Sequence, residues 1–107
     1  MISVRELPDV VVIDLGPRLT LENASELLRV VETMSSGVAQ SLIVNLSRTK
    51  VIDSSGVGAL VNSLKYIKQK SGTFALAELP QEILHMFHMM NLHQVFDIFE
   101  SEAVAQR

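Results

Sequence analysis

Apolar residues arrive along this chain in short bursts, and the bursts alternate between two periods. Residues 9 to 15, Asp-Val-Val-Val-Ile-Asp-Leu, form a β-branched run of strand length that suits burial on both faces. Residues 2 to 7 alternate less clearly and predict an edge strand ahead of it, with Pro8 at the break. From Ala24 the spacing turns helical, and Ala24, Leu27, Leu28, Val31 and Met34 share one face. Gly16-Pro17 marks the turn before this helix, and Thr20 is placed to cap it through its hydroxyl. Glu22 and Glu26 suit the positive end of its dipole, and Ser35-Ser36-Gly37 is expected to end it.

The alternation then repeats. Leu42-Ile43-Val44-Asn45-Leu46 reads as a buried strand, and Thr49-Lys50-Val51-Ile52 as a short connection. Val57, Leu60, Val61, Leu64 and Ile67 form a helical stripe, closed by Lys65, Lys68, Lys70 and Ser71-Gly72. Residues 73 to 79 predict a further strand, and Pro80 suits the first turn of a helix carrying Ile83, Leu84, Phe87 and Met90. Asn91 is the expected stop, residues 95 to 99 a last strand, and residues 100 to 107 a tail of one or two helical turns. The order β-β-α-β-α-β-α-β predicts an α/β domain spanning residues 1–107. Its sheet should be mixed but mostly parallel, with four or five strands packed against three or four helices.

Composition adjusts this picture little. A chain of 107 residues with 48% hydrophobic and 20% charged residues has enough apolar material for one core without staples. The absence of cysteine removes disulfides, thiol catalysis and cysteine-based zinc sites, and fits a reducing cytoplasm. A net charge of −3 with no basic face argues against nucleic acid as a partner. No apolar run reaches the roughly 20 residues needed to span a bilayer, so no membrane insertion is expected.

One junction carries chemistry. Asp53-Ser54-Ser55-Gly56 follows a strand and opens a helix, where backbone N–H groups lack internal partners. Composition alone explains these residues as a helix cap, with Ser54 or Ser55 as the capping side chain and Gly56 letting the backbone turn. Gly58 keeps the next position small. The same place suits a phosphoacceptor, because a phosphate there would meet free N–H groups and the positive dipole end.

The stretch Val51-Ile52-Asp53-Ser54-Ser55-Gly56-Val57-Gly58-Ala59-Leu60 resembles the signature of STAS domains of the anti-sigma factor antagonist family. The similarity runs through Ala24–Leu27, Ile43-Val44-Asn45-Leu46, the lysine-ended helix, and Phe87 with Asn91-Leu92. The resemblance implies a regulatory binding protein rather than an enzyme, with Ser55 taking a phosphate from ATP. The donor would be a partner anti-sigma factor that is itself a serine kinase, and a phosphatase would reverse the step. Asp53 would position the serine or touch the partner, with Ser54, Gly56, Arg18 and Thr20 completing the contact. Where the family has Gly-Glu-Leu-Asp before the first helix, this chain has Pro17-Arg18-Leu19-Thr20, so Arg18 reverses a charge. A constitutive scaffold in a stressosome-like or lipid-transport assembly is the second reading.

Other constellations are weaker. No Gly-x-Ser-x-Gly elbow supports a hydrolase, and no Gly-x-x-x-x-Gly-Lys loop supports nucleotide binding. No cofactor and no metal are expected, because His85, His88 and His93 lack an acidic residue at ligand spacing. Met86, Met89 and Met90 read as core filling around Phe87.

Overall fold

The computed structural model describes residues 2–35 and 41–106. Its elements run β1 (Ser3–Glu6), β2 (Val11–Asp14), β3 (Arg18–Leu19), α1 (Ala24–Met34), β4 (Ser41–Asn45), β5 (Val51–Ile52) and α2 (Ser54–Gln69). They continue with β6 (Thr73–Ala77), α3 (Gln81–Met89), a short 3₁₀ helix (Leu92–Gln94), β7 (Asp97–Phe99) and α4 (Glu102–Ala105). A five-stranded sheet has the order β1-β2-β4-β6-β7. Only the β1–β2 pair is antiparallel, and the other three pairings are parallel. The mixed, mostly parallel α/β sheet expected from the sequence is therefore present.

The period-2 pattern decides which side each strand residue faces. Val11, Ile13, Leu42, Val44, Leu46, Phe74 and Leu76 join the main core. There they meet Leu27 and Val31 of α1, Leu60, Leu64 and Ile67 of α2, and Ile83 and Phe87 of α3. Phe96 ties this core together, with ring centroids 6.1 Å from Phe87 and 6.4 Å from Phe74. The opposite face is thin: Val10, Val12, Ile43 and Ala77 are buried there, with Ala105 of α4 packed against them.

Several boundaries differ from expectation for local reasons. The first helix begins at Ala24, and its N-cap is Asn23 rather than Thr20. Thr20 contributes its carbonyl, which accepts the amides of Asn23 and Ala24, while its own amide donates to Asn23 Oδ1. Of the expected stop Ser35-Ser36-Gly37, Ser35 is the C-cap of α1, and Ser36 and Gly37 lie outside the described residues. At the end of α2 Ser71 enters the left-handed region (φ 63°). The last strand is shorter than residues 95–99, because Leu92–Gln94 winds as 3₁₀ helix after Asn91 enters the left-handed region. Thr49–Ile52 is more than a connection. Val51 and Ile52 pair in parallel with Arg18 and Leu19 as a separate two-stranded ladder.

Candidate functional site

That small ladder builds the junction at residues 53–56. Pro17 O accepts the amides of Lys50 (2.8 Å) and Val51 (3.1 Å), and the buried Thr49 donates its hydroxyl to Gly16 O at 2.9 Å. Leu19 and Ile52 point inward, and Leu19 O accepts the Asp53 amide at 3.3 Å. The chain therefore reaches Asp53 in extended conformation (φ −100°, ψ −176°) and turns directly into α2.

The cap at this helix start is Asp53, so neither Ser54 nor Ser55 plays that part. One carboxylate oxygen, Oδ1, accepts the Gly56 amide at 2.9 Å. The other, Oδ2, accepts the amide of Leu21, 32 residues earlier, at 3.0 Å. The Gly56 amide first, and then that of Leu21, hold the Asp53 carboxyl below the usual aspartate range. One of the amides expected to be free for a phosphate, that of Gly56, is thus already given to Asp53, and the helix start carries its own anion.

Ser54 and Ser55 are the first two helical residues, the former exposed and the latter half-buried. Gly56 is buried in the helix. A Cβ there would run into the Leu19 carbonyl oxygen and sit 3.0 Å from Ile52 Cγ2. Its role is close approach rather than an unusual turn. Gly58 differs, since a Cβ there would meet open space, so smallness is not required.

The structure brings Arg18 and Thr20 to this junction with Asp53, Ser54, Ser55 and Gly56. Arg18 is exposed in the ladder opposite Val51, whereas Thr20 is buried and offers its backbone rather than its hydroxyl to its neighbours. Asn23 fastens this segment by donating from Nδ2 to Arg18 O at 2.8 Å and accepting the Thr20 amide at 2.8 Å. The sequence reading missed Leu21, whose amide Asp53 holds and which is 75% exposed. Its position between an exposed arginine and the first helix, outside the helical stripe, is the signal that marks it. Val51, 41% exposed, adds a second apolar residue to the ladder's outer side.

Among the described residues no group of histidines and acids could hold a metal ion. His88 and His93 instead stack on each other, with centroids 4.2 Å apart. Met86 is half-buried as expected, but Met89 and Met90 are 73% and 49% exposed and do not fill the core. Lys65 and Lys68 are solvated, and Lys70 Nζ lies 5.3 Å from the Tyr66 ring centroid. Among the described residues no helix is long and apolar enough to cross a membrane.

Comparison with known proteins places this geometry. The sequence model of the STAS domain matches residues 1–105. A Thermotoga maritima protein named "Putative anti-sigma factor antagonist" is 30% identical, over 99% of this chain and 96% of that one. Its crystal structure superposes with a TM-score of 0.86 at 26% identity, covering 98% of this chain and 91% of that one. The anti-sigma factor antagonist SpoIIAA in its unphosphorylated form shares the fold at 20% identity, with a TM-score of 0.80 over 98% of this chain and 92% of that one. The phosphorylated form of the Bacillus cell fate determinant SpoIIAA shares it with a TM-score of 0.73, also at 20% identity, over 98% and 96% of the two chains.

Proposed function

The chain belongs to the STAS domain family, and from that premise we propose that it is a regulatory binding protein of the anti-sigma factor antagonist type. Its docking contact is the Asp53–Gly56 turn together with Arg18–Leu21, and phosphorylation within the Ser54–Ser55 pair switches it. The partner is an anti-sigma factor that is also an ATP-dependent serine kinase. A phosphatase reverses the step, and the protein works with both in the cytoplasm. The domain itself is not an enzyme, because the junction assembles no convergent acid, base and nucleophile.

The observation that carries this reading is an exposed serine hydroxyl beside a carboxylate whose two oxygens are already committed to Gly56 and Leu21. A phosphate adds about −1.5 to −2 charges. The Gly56 amide is taken by Asp53, so a phosphate here shares the helix start with a carboxylate already bound to it. The phosphate stands next to an ionised Asp53. A loss of about 1.4 kcal/mol at the interface lowers affinity tenfold. SpoIIAA, whose phosphorylated and unphosphorylated forms both have this fold, gives the switch a structural parallel. The resemblance assigns the phosphate to Ser55, while exposure ranks Ser54 first.

Binding to the partner kinase tests the reading. Ser54→Ala and Ser55→Ala are expected to bind like wild type. The acidic substitution at the acceptor serine is expected to weaken binding by about tenfold or more. Wild-type affinity in both Ser54→Asp and Ser55→Asp would overturn the switch. The exposed Arg18, where the family pattern is acidic, favours the constitutive-scaffold reading to that extent. An assembly indifferent to charge at both serines would establish it.

A further inference from the structure

The β3–β5 ladder gathers positive charge that is scattered along the sequence. Arg18 stands in β3 opposite Val51, and Lys50 beside it donates its amide to Pro17 O. Arg48 precedes Lys50 by two positions in the connection from β4. All three residues are exposed, and none pairs with a carboxylate among the described residues, where Arg5 makes both ion pairs. The carboxylates at this end of the molecule are Asp53 and Glu22. Asp53 has given both oxygens to backbone amides, and Glu22 lines a shallow depression with Arg18 without forming an ion pair to it. Three cations against two carboxylates leave this surface positive, in a chain whose net charge is −3.

Apolar groups share the surface. Leu21 is 75% exposed and Val51 41%. Asp53 holds the Leu21 amide, so this leucine offers its side chain from a fixed backbone, which lowers the entropy a contact must lose.

On the reading that this turn is the docking contact, we propose that the partner segment it receives is acidic, with an apolar residue between its carboxylates. Arg18, Arg48 and Lys50 meet the acids, and Leu21 with Val51 meets the apolar side chain. A partner that is basic at that point, as would suit the acidic family pattern, is repelled by Arg18, so the same charge selects the partner. The switch acts through this balance as well. A phosphate of about −1.5 to −2 charges on Ser54 or Ser55 turns the surface negative and repels the acidic segment. Three cations fall short of the roughly 6–10 phosphate contacts of a strong nucleic-acid binder.

Amide NMR of the full chain tests this with three capped peptides, Glu-Glu-Leu-Glu-Glu-Leu-Glu-Glu and the versions with lysine or glutamine in place of every glutamate. The expected result is saturable shifts at Arg18, Leu21, Lys50 and Val51 with the glutamate peptide alone. They should shrink as salt rises from about 0.01 to 0.15 M, where the screening length falls from roughly 30 to 8 Å. Arg18→Glu combined with Lys50→Glu should weaken the peptide about tenfold or more, and Leu21→Ser should weaken it as well. Lys65→Glu combined with Lys68→Glu, the same charge change at the other end of α2, should leave it unchanged. No saturable shift at millimolar glutamate peptide would overturn the proposal, as would equal binding of the glutamine or lysine peptide. Tighter binding of octathymidylate or of phosphatidylglycerol vesicles at the same residues would overturn it in favour of a nucleic acid or a membrane. Glutamate-peptide binding that ignores the Arg18→Glu and Lys50→Glu pair overturns the cationic surface even where Ser54→Asp or Ser55→Asp weakens the kinase. Kinase binding indifferent to charge at both serines removes the switch and leaves the surface standing.

Discussion

At the scale of single residues, the junction separates two glycines that look alike in sequence. Gly56→Ala pushes a methyl group into the Leu19 carbonyl, which is backbone fixed by the ladder, so the fold should lose about 1–3 kcal/mol. Gly58→Ala fills open space in a helix and should gain about 0.5–1 kcal/mol. Urea unfolding of the two variants checks both signs, and a stable Gly56→Ala would remove the close-approach argument. Asp53 makes a pH prediction. Its folded carboxyl titrates below the usual range, as does that of Glu102, which Arg5 holds down. A depressed carboxyl pKa stabilises the fold above the ordinary value, about 4, and that stability is lost as pH falls through the folded value. The urea midpoint should therefore hold above about pH 5 and drop on further acidification. Asp53→Asn should lower the midpoint at neutral pH and flatten part of that acid limb.

At the scale of elements, the sequence disclosed the parts governed by periodicity. The stripe Leu60, Leu64 and Ile67, the continuous apolar runs of β2 and β4, and the stop at Asn91 all follow from local spacing, run length or one residue's backbone freedom. What it did not disclose depends on contacts between distant segments. Two residues on each side form the β3–β5 ladder, too few to show a period, and only pairing across the chain makes them strands. The sequence reading placed the cap at Ser54 or Ser55, whereas the cap is Asp53. What distinguishes it is the Leu21 amide, which lies 32 positions earlier. The ladder has a testable dependence on Thr49, fully buried with its hydroxyl on Gly16 O. Thr49→Val leaves that carbonyl without the hydroxyl and should cost about 1–3 kcal/mol by urea unfolding. It should also speed exchange of the Lys50 and Val51 amides, and unchanged exchange would mean that the ladder stands without Thr49.

At the scale of the whole molecule, the two faces of the sheet differ in how firmly they are covered. The main core carries the three long helices. The other face is closed by the four-residue α4, which Arg5 clamps by pairing with Asp14 (2.6 Å) and with Glu102 (2.5 Å), while Asn45 Nδ2 donates to the same Glu102 carboxylate. Arg5 is partly exposed, so Arg5→Ala should change global stability by less than about 1 kcal/mol. Hydrogen exchange of the α4 amides should nevertheless rise selectively, and a uniform rise would show that α4 is not an independent unit. The proposed docking turn is tied by the ladder, Gly56 and Asp53, which in the proposed switch leaves added charge as the variable at that surface. The measurement that bears most directly on this is incubation of the chain with the proposed partner kinase and ATP, followed by intact-mass analysis of wild type, Ser54→Ala, Ser55→Ala and the double variant. One phosphate on the wild type, lost in one single variant and in the double variant, is the expected result. No phosphate on the wild type, or a phosphate that survives the double substitution, would contradict the assignment of the switch to this turn.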